Sequence, residues 1–200
     1  IAGMRLPVVL VCVNRAVSAP LNIWNDQQDS ISQRDTGVIQ LYAEDNQEAV
    51  DLIYQAYRIA EDHRVLLPVM VCLDGYVLSH AWEPIDIPSP EQVDAFLPPY
   101  QPLYKLDPDN PLSLGMFMEP DKYMETRYML QHTLEQATGV IQEVAQDFER
   151  MFSRKAVGLL EEYHTADAAT VLVGLGTMVS TFKDVADELR SQGKKVGVLK

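Results

Sequence analysis

Apolar residues along the first eighty positions fall into three short runs. Leu6 to Val13 (LPVVLVCV) is continuous and rich in β-branched side chains, the pattern of a strand buried on both faces of a parallel sheet. It ends at the polar pair Asn14-Arg15. A weaker run, Val38 to Tyr42, follows Gly37 and leads into Glu44-Asp45-Asn46, a helix-start signal. Ala49, Leu52, Ile53, Ala56 and Ile59 then recur at helical spacing. Leu67 to Leu73 (LPVMVCL) is a third run, stopped by Asp74-Gly75. The order strand, long loop, strand, helix, strand makes a parallel α/β sheet the economical fold.

The pattern changes after residue 83. Prolines at 84, 88, 90, 98, 99, 102, 108, 111 and 120 remove backbone donors and fix φ, which precludes long helices or central strands. Phe96, Leu97, Tyr100, Leu103, Tyr104, Met116 and Phe117 nonetheless make this stretch too apolar for a flexible linker, so an ordered connection is expected. Asp121 to about Arg154 is free of proline and reads as one long helix or two joined near Gly139. Ala168 to Gly174 reads as a strand, Ser180 to Ser191 as a helix stopped by Gly193, and Lys195 to Leu199 as a strand. That is a βαβ unit. Four segments follow: 1–83, 84–120, 121–165 and 166–200, the last opening a second domain.

Composition narrows the function classes. The 200 residues are 47% hydrophobic, enough for a packed core, and carry a formal net charge of -13. Nucleic-acid surfaces need clustered Lys and Arg, so none is expected. No apolar run approaches the ~20 residues of a membrane span, and a cytoplasmic location is the default. Cys12 and Cys72 lie inside apolar runs without metal-ligand spacing and read as buried free thiols. Ile1 is not an initiator and Lys194 to Lys200 reads as a strand with nothing after it, so both ends are read as cuts through folded domains.

Parallel sheets gather ligands at the carboxyl ends of their strands, which here means Asn14 and Arg15, Glu44 and Asp45, and Asp74. A guanidinium held at a strand end grips a carboxylate or phosphate bidentately. Arg15 is either that anion site or one half of a structural ion pair. Asp26 and Asp29, in the long loop after the first run, read as caps before metal ligands, and Trp24 as a packing anchor. His63, His80, His132 and His164 form no metal-binding spacing, and Ser79-His80 reads as a structural hydrogen-bonded pair rather than part of a triad. Gly174-Leu175-Gly176-Thr177 sits between strand and helix like a phosphate turn, but Val179 stands where GxGxxG needs a small residue, and a tight turn without nucleotide is preferred.

The stretch VNRAVSAPLNIWNDQQDSISQRDTG resembles the pattern shared by α subunits of pyruvate:ferredoxin oxidoreductases, within the 2-oxoacid:ferredoxin oxidoreductase family. The likeness continues through Asp74-Gly75-Tyr76 to Ser79-His80, Phe96 to Tyr100, Lys105 to Pro108 and Tyr123-Met124-Glu125. It implies part of an enzyme that uses thiamine diphosphate to convert a 2-oxoacid and CoA to acyl-CoA and CO2, passing electrons through 4Fe-4S clusters to ferredoxin. The implied fold is the later half of a pyrimidine-side domain, followed by the start of a domain like the transketolase C-terminal domain. Arg15 takes the role of binding the pyruvate carboxylate. The diphosphate, Mg2+ and clusters fall to partner subunits (β, γ and δ type). The family's acid that activates the pyrimidine and its substrate-site Thr lie upstream of Arg15 and are absent, so the fragment alone is expected to be inactive. The rival readings are a sibling enzyme for 2-oxoisovalerate, 2-oxoglutarate or oxalate, and a noncatalytic docking or dimerisation module.

Overall fold

In the computed structural model, which describes residues 1–200, the three apolar runs form one parallel sheet of β1 (Val9–Asn14), β2 (Ile39–Tyr42) and β3 (Val69–Asp74), in the order β1-β3-β2. Helix α2 (Asn46–Glu61) crosses from β2 to β3, its start fixed by Asp45, whose carboxylate accepts the Glu48 N–H at 2.7 Å. The register pairs Val11 with Val71 and Cys12 with Cys72, so alternate residues of neighbouring strands share a face. One face is apolar: Ile39, Val69 and Val71 pack with Ala49, Leu52, Ala56 and Ile59 of α2. The other carries Cys12, Cys72, Gln40 and Tyr42 beneath the short helix α1 (Gln28–Ile31).

The place of β1 in the sheet corrects the reading of the first run as a strand buried on both faces. β1 is an edge strand, and Val11 and Val13 remain 52% and 47% exposed. A run of β-branched residues reports a demand for burial, whereas the strand's place in the sheet decides how much of it these residues satisfy.

Short helix α3 (Val77–His80) follows β3, and the proline-rich connection after it holds α4 (Pro90–Phe96), closed by a reciprocal Ser89/Gln92 capping box. Phe96 is buried and meets Phe148 and Phe152 edge-on, with ring centroids 5.4 and 5.5 Å away. The apolar side chains further along find no core here: Leu106 and Phe117 are 98% and 81% exposed. Phe148 and Phe152 belong to α5 (Pro120–Phe152), a single helix of 33 residues. Gly139 does not break it, since both adjoining turns are held by buried Ala137, Val140 and Ile141. Arg154, just beyond its end, clamps Asp51 of α2 with two bonds of 2.7 and 2.9 Å.

A second sheet follows, of β4 (Glu162–Tyr163), β5 (Thr170–Val173) and β6 (Val196–Leu199), in the order β4-β6-β5. β5 and β6 are parallel and joined by α6 (Met178–Ser191), while β4 runs antiparallel to β6. Val179, Ala186, Val196 and Val198 form its small core. No helix is long and apolar enough to cross a membrane. Phe148→Ala in this chain is expected to lower stability by about 3–5 kcal/mol, against less than about 0.5 kcal/mol for Phe117→Ala, as read from urea unfolding.

Candidate functional site

The carboxyl ends of β1, β3 and β2 bring Asn14, Asp74 and Glu44 to one rim of the first sheet, with Asn14 and Asp74 as register partners. Two of the three strand-end positions, Asp74 and Glu44, are committed to α6 and its N-terminus. Asp74 is 3% exposed and accepts hydrogen bonds from Gln27 Nε2 at 3.0 Å, from the Thr177 N–H at 3.3 Å, and from the Thr177 hydroxyl. Thr177 is the N-cap position of α6, so the carboxylate sits at the positive end of that helix. The turn Gly174 to Thr177 thus receives an anion from its own chain. Gly176 has φ +70° and lies against Gln27, 3.3 Å from where its Cβ would stand.

Glu44 is held the same way. It accepts from Ser180 Oγ at 2.9 Å and Lys183 Nζ at 2.8 Å, both on α6, and pairs with Lys200 Nζ at 3.2 Å. Lys200 reaches Glu48 at 2.5 Å, and Lys183 reaches Glu161 at 3.1 Å. Burial would raise the Glu44 carboxyl, but the bonds from Lys183, Ser180 and Lys200 outweigh it and hold it below the ordinary range. Glu161 is lowered likewise, burial being outweighed by Lys155 and Lys183. Glu48 goes the other way, because burial exceeds the help it receives from Lys200. Lys183 is raised, burial again being outweighed by Glu44 and Glu161.

Arg15 is the strand-end residue left over. Its backbone N–H donates to Asp29 Oδ2 at 3.0 Å, its Nη1 donates to the Ile23 carbonyl, and its guanidinium makes no ion pair. The structural ion pair weighed for Arg15 from sequence is therefore not formed. Its loop is closed by Ala16 N–H on the Trp24 carbonyl at 3.0 Å. Asn14 is buried, gives its amide to Asp29 at 2.7 Å and Ser30 at 2.9 Å, and leaves Oδ1 without a partner.

The remaining candidates sort by their contacts. Asp26 accepts the Gln28 N–H at 2.7 Å, a local turn bond, while Asp29 braces the end of β1. No three His, Cys, Asp or Glu side chains cluster as metal ligands. Trp24 is 74% exposed, which corrects its reading as a packing anchor: the loop is held by polar and backbone bonds instead. His80 is exposed, bonded to Ser79 Oγ at 2.8 Å and stacked on Tyr76. Burial, with Asp29 adding to it, pushes the Cys12 and Cys72 thiols up to about 12 and about 11, so both are neutral and poor nucleophiles; Cys12 is only partly buried. Sequence reasoning missed Gln27, Lys183 and Lys200. Glu44 and Glu48, four residues apart and both acidic at a helix start, were the available hint that a cation stands opposite.

A family model described as "Pyruvate flavodoxin/ferredoxin oxidoreductase, thiamine diP-bdg" matches residues 1–146. The chain belongs to this family. It is also 53% identical over 199 residues to the Pyruvate synthase subunit PorA of Methanothermobacter thermautotrophicus, covering 100% of this chain and 52% of that protein. It is 52% identical over 200 residues to the subunit of the same name from Pyrococcus abyssi, covering 100% of this chain and 50% of that protein. Against the Ketoisovalerate oxidoreductase subunit VorA of Pyrococcus abyssi the identity is 44% over 200 residues, with the same shares. The chain thus spans about half the length of the curated relatives it matches.

The rim makes a pH dependence testable. Glu44 and Glu161 are held below the ordinary 4.5, so their contribution is complete above that pH and is lost as pH falls through their folded values; Glu48, raised, partly offsets this. Lys183 is raised above 10.5, and its contribution is complete below that pH and lost as pH rises through its folded value. Lys183→Met is expected to cost about 2–3 kcal/mol at neutral pH, and to flatten the acid limb of a stability-versus-pH curve measured by urea unfolding.

Proposed function

We propose that this chain is part of the α subunit of a pyruvate:ferredoxin oxidoreductase, a cytoplasmic enzyme that converts pyruvate and CoA to acetyl-CoA and CO2 and reduces ferredoxin. The observation carrying this reading is Arg15: a guanidinium at the end of a sheet strand, free of carboxylate partners in a chain of net charge -13. In this reading it binds the pyruvate carboxylate. The higher identity to pyruvate synthase subunits, 53% against 44% for a ketoisovalerate relative, favours pyruvate over a branched 2-oxoacid.

Thiamine diphosphate, when bound, supplies the nucleophile and electron sink. Asp74 fills the one phosphate-like turn of the chain, which supports placing the diphosphate, Mg2+ and 4Fe-4S clusters on partner subunits. The chain's own task is to hold the substrate anion. A single Arg orients the carboxylate without gripping it at many points, and this matters because that negative charge disappears as CO2 leaves. Stronger ground-state binding would oppose the reaction.

The test is the complete α chain assembled anaerobically with its partner subunits, assayed by pyruvate- and CoA-dependent viologen reduction. Arg15→Ala is expected to raise the KM for pyruvate by roughly 10–100-fold, the equivalent of one lost hydrogen-bonded charge contact. An unchanged KM would remove Arg15 from the site.

A further inference from the structure

We infer that Asp29 and Gly75 are positioning residues for Arg15, acting on the substrate carboxylate only through that guanidinium; the inference rests on the carboxylate role proposed above.

Gly75 follows β3 directly, and its N–H donates to the Asn14 carbonyl at 3.0 Å. A Cβ built there would stand 2.1 Å from that carbonyl oxygen, 2.5 Å from Arg15 Nε and 2.8 Å from Arg15 Cδ. The Arg15 side chain therefore lies flat across the backbone of Gly75, in the space any other residue would occupy. The glycine is needed for room and not for its φ, which is not in the left-handed region.

Asp29 fixes the root of the same side chain. Its Oδ2 accepts the Arg15 N–H at 3.0 Å, while Oδ1 accepts Asn14 Nδ2 at 2.7 Å and the Ser30 N–H at 2.8 Å. These bonds hold the Asp29 carboxyl below the ordinary range even though burial alone would raise it. The acid is thus ionised and saturated with donors, and forms no ion pair with the Arg15 guanidinium that would compete with a substrate. With the Nη1 bond to the Ile23 carbonyl, three separate contacts set where Arg15 points, and none of them uses up its charge.

Asp29→Asn isolates this function without changing volume. An amide facing Asn14 and Ser30 would oppose two donors, so it turns its NH2 toward the Arg15 N–H and the Cys12 Sγ that now flank Oδ2. The bond to Arg15 is the one lost. In the assembled complex Asp29→Asn is expected to raise the pyruvate KM by about 3–10-fold, with the KM for CoA unchanged. Combined with Arg15→Ala it should add nothing further, because its effect passes through a side chain already removed. Gly75→Ala should raise the pyruvate KM in the same direction. An Asp29→Asn variant with normal pyruvate KM, or one whose effect multiplies with that of Arg15→Ala, would overturn the inference while leaving Arg15 in place. If Arg15→Ala alone leaves the pyruvate KM unchanged, the carboxylate reading itself falls, and this inference with it.

Discussion

The carboxylate of Asp74 at the N-terminus of α6 is the contact on which the rest of the arrangement depends. A buried acid at the end of a central strand is costly unless donors meet it, and α6 supplies a backbone N–H and a hydroxyl where its dipole is most positive. Beside it, Glu44 meets Ser180 and Lys183 on the same helix. The two sheets are therefore joined through charge at the rim where a parallel sheet otherwise receives its ligands, and not by a shared apolar core; their hydrophobic clusters are separate. Removing one partner from such a junction leaves a charge without its counterion, which is why the arrangement is demanding even where its net contribution is small.

With Glu44 so engaged by Lys183 and Lys200, the rim is left with one cation that makes no ion pair, Arg15. Its position follows from the chemistry of the sheet's two faces. The α2 face is packed with aliphatic residues, whereas the opposite face carries Asn14, Ser30, Tyr42 and Gln40 in a hydrogen-bonded chain with Asp29 at its end. That chain anchors the loop which turns the Arg15 side chain over Gly75. A guanidinium in an acidic protein stays free only if it is kept from neighbouring carboxylates, and here backbone bonds and a saturated acid do so.

Much of this was legible in the sequence. The alternation of apolar runs with a helical stripe gave the parallel sheet and α2, because burial of Val69, Val71, Leu52 and Ile59 is what those periods encode. Arg15, Glu44 and Asp74 stood out because they follow strands. What could not be read was pairing: nothing in a linear string says that β3 lies between β1 and β2, so the exposure of Val11 and Val13 was invisible. Nor does the string say that Lys183 and Lys200, more than a hundred residues downstream, neutralise Glu44. Trp24 misled because aromatic residues usually bury, and its loop is fastened by bonds that need no apolar anchor. Gly75 carried no signal beyond a turn, although the close approach of the Asn14 carbonyl and of the Arg15 side chain leaves no room for a Cβ there.

The most direct measurement is a crystal structure of the intact complex with pyruvate bound. A substrate carboxylate oxygen is expected within hydrogen-bond distance of the Arg15 guanidinium, while Asp74 still caps α6 and Asp29 still holds the Arg15 N–H. A carboxylate bound away from Arg15, with that guanidinium paired to an acid of the protein, would contradict this placement.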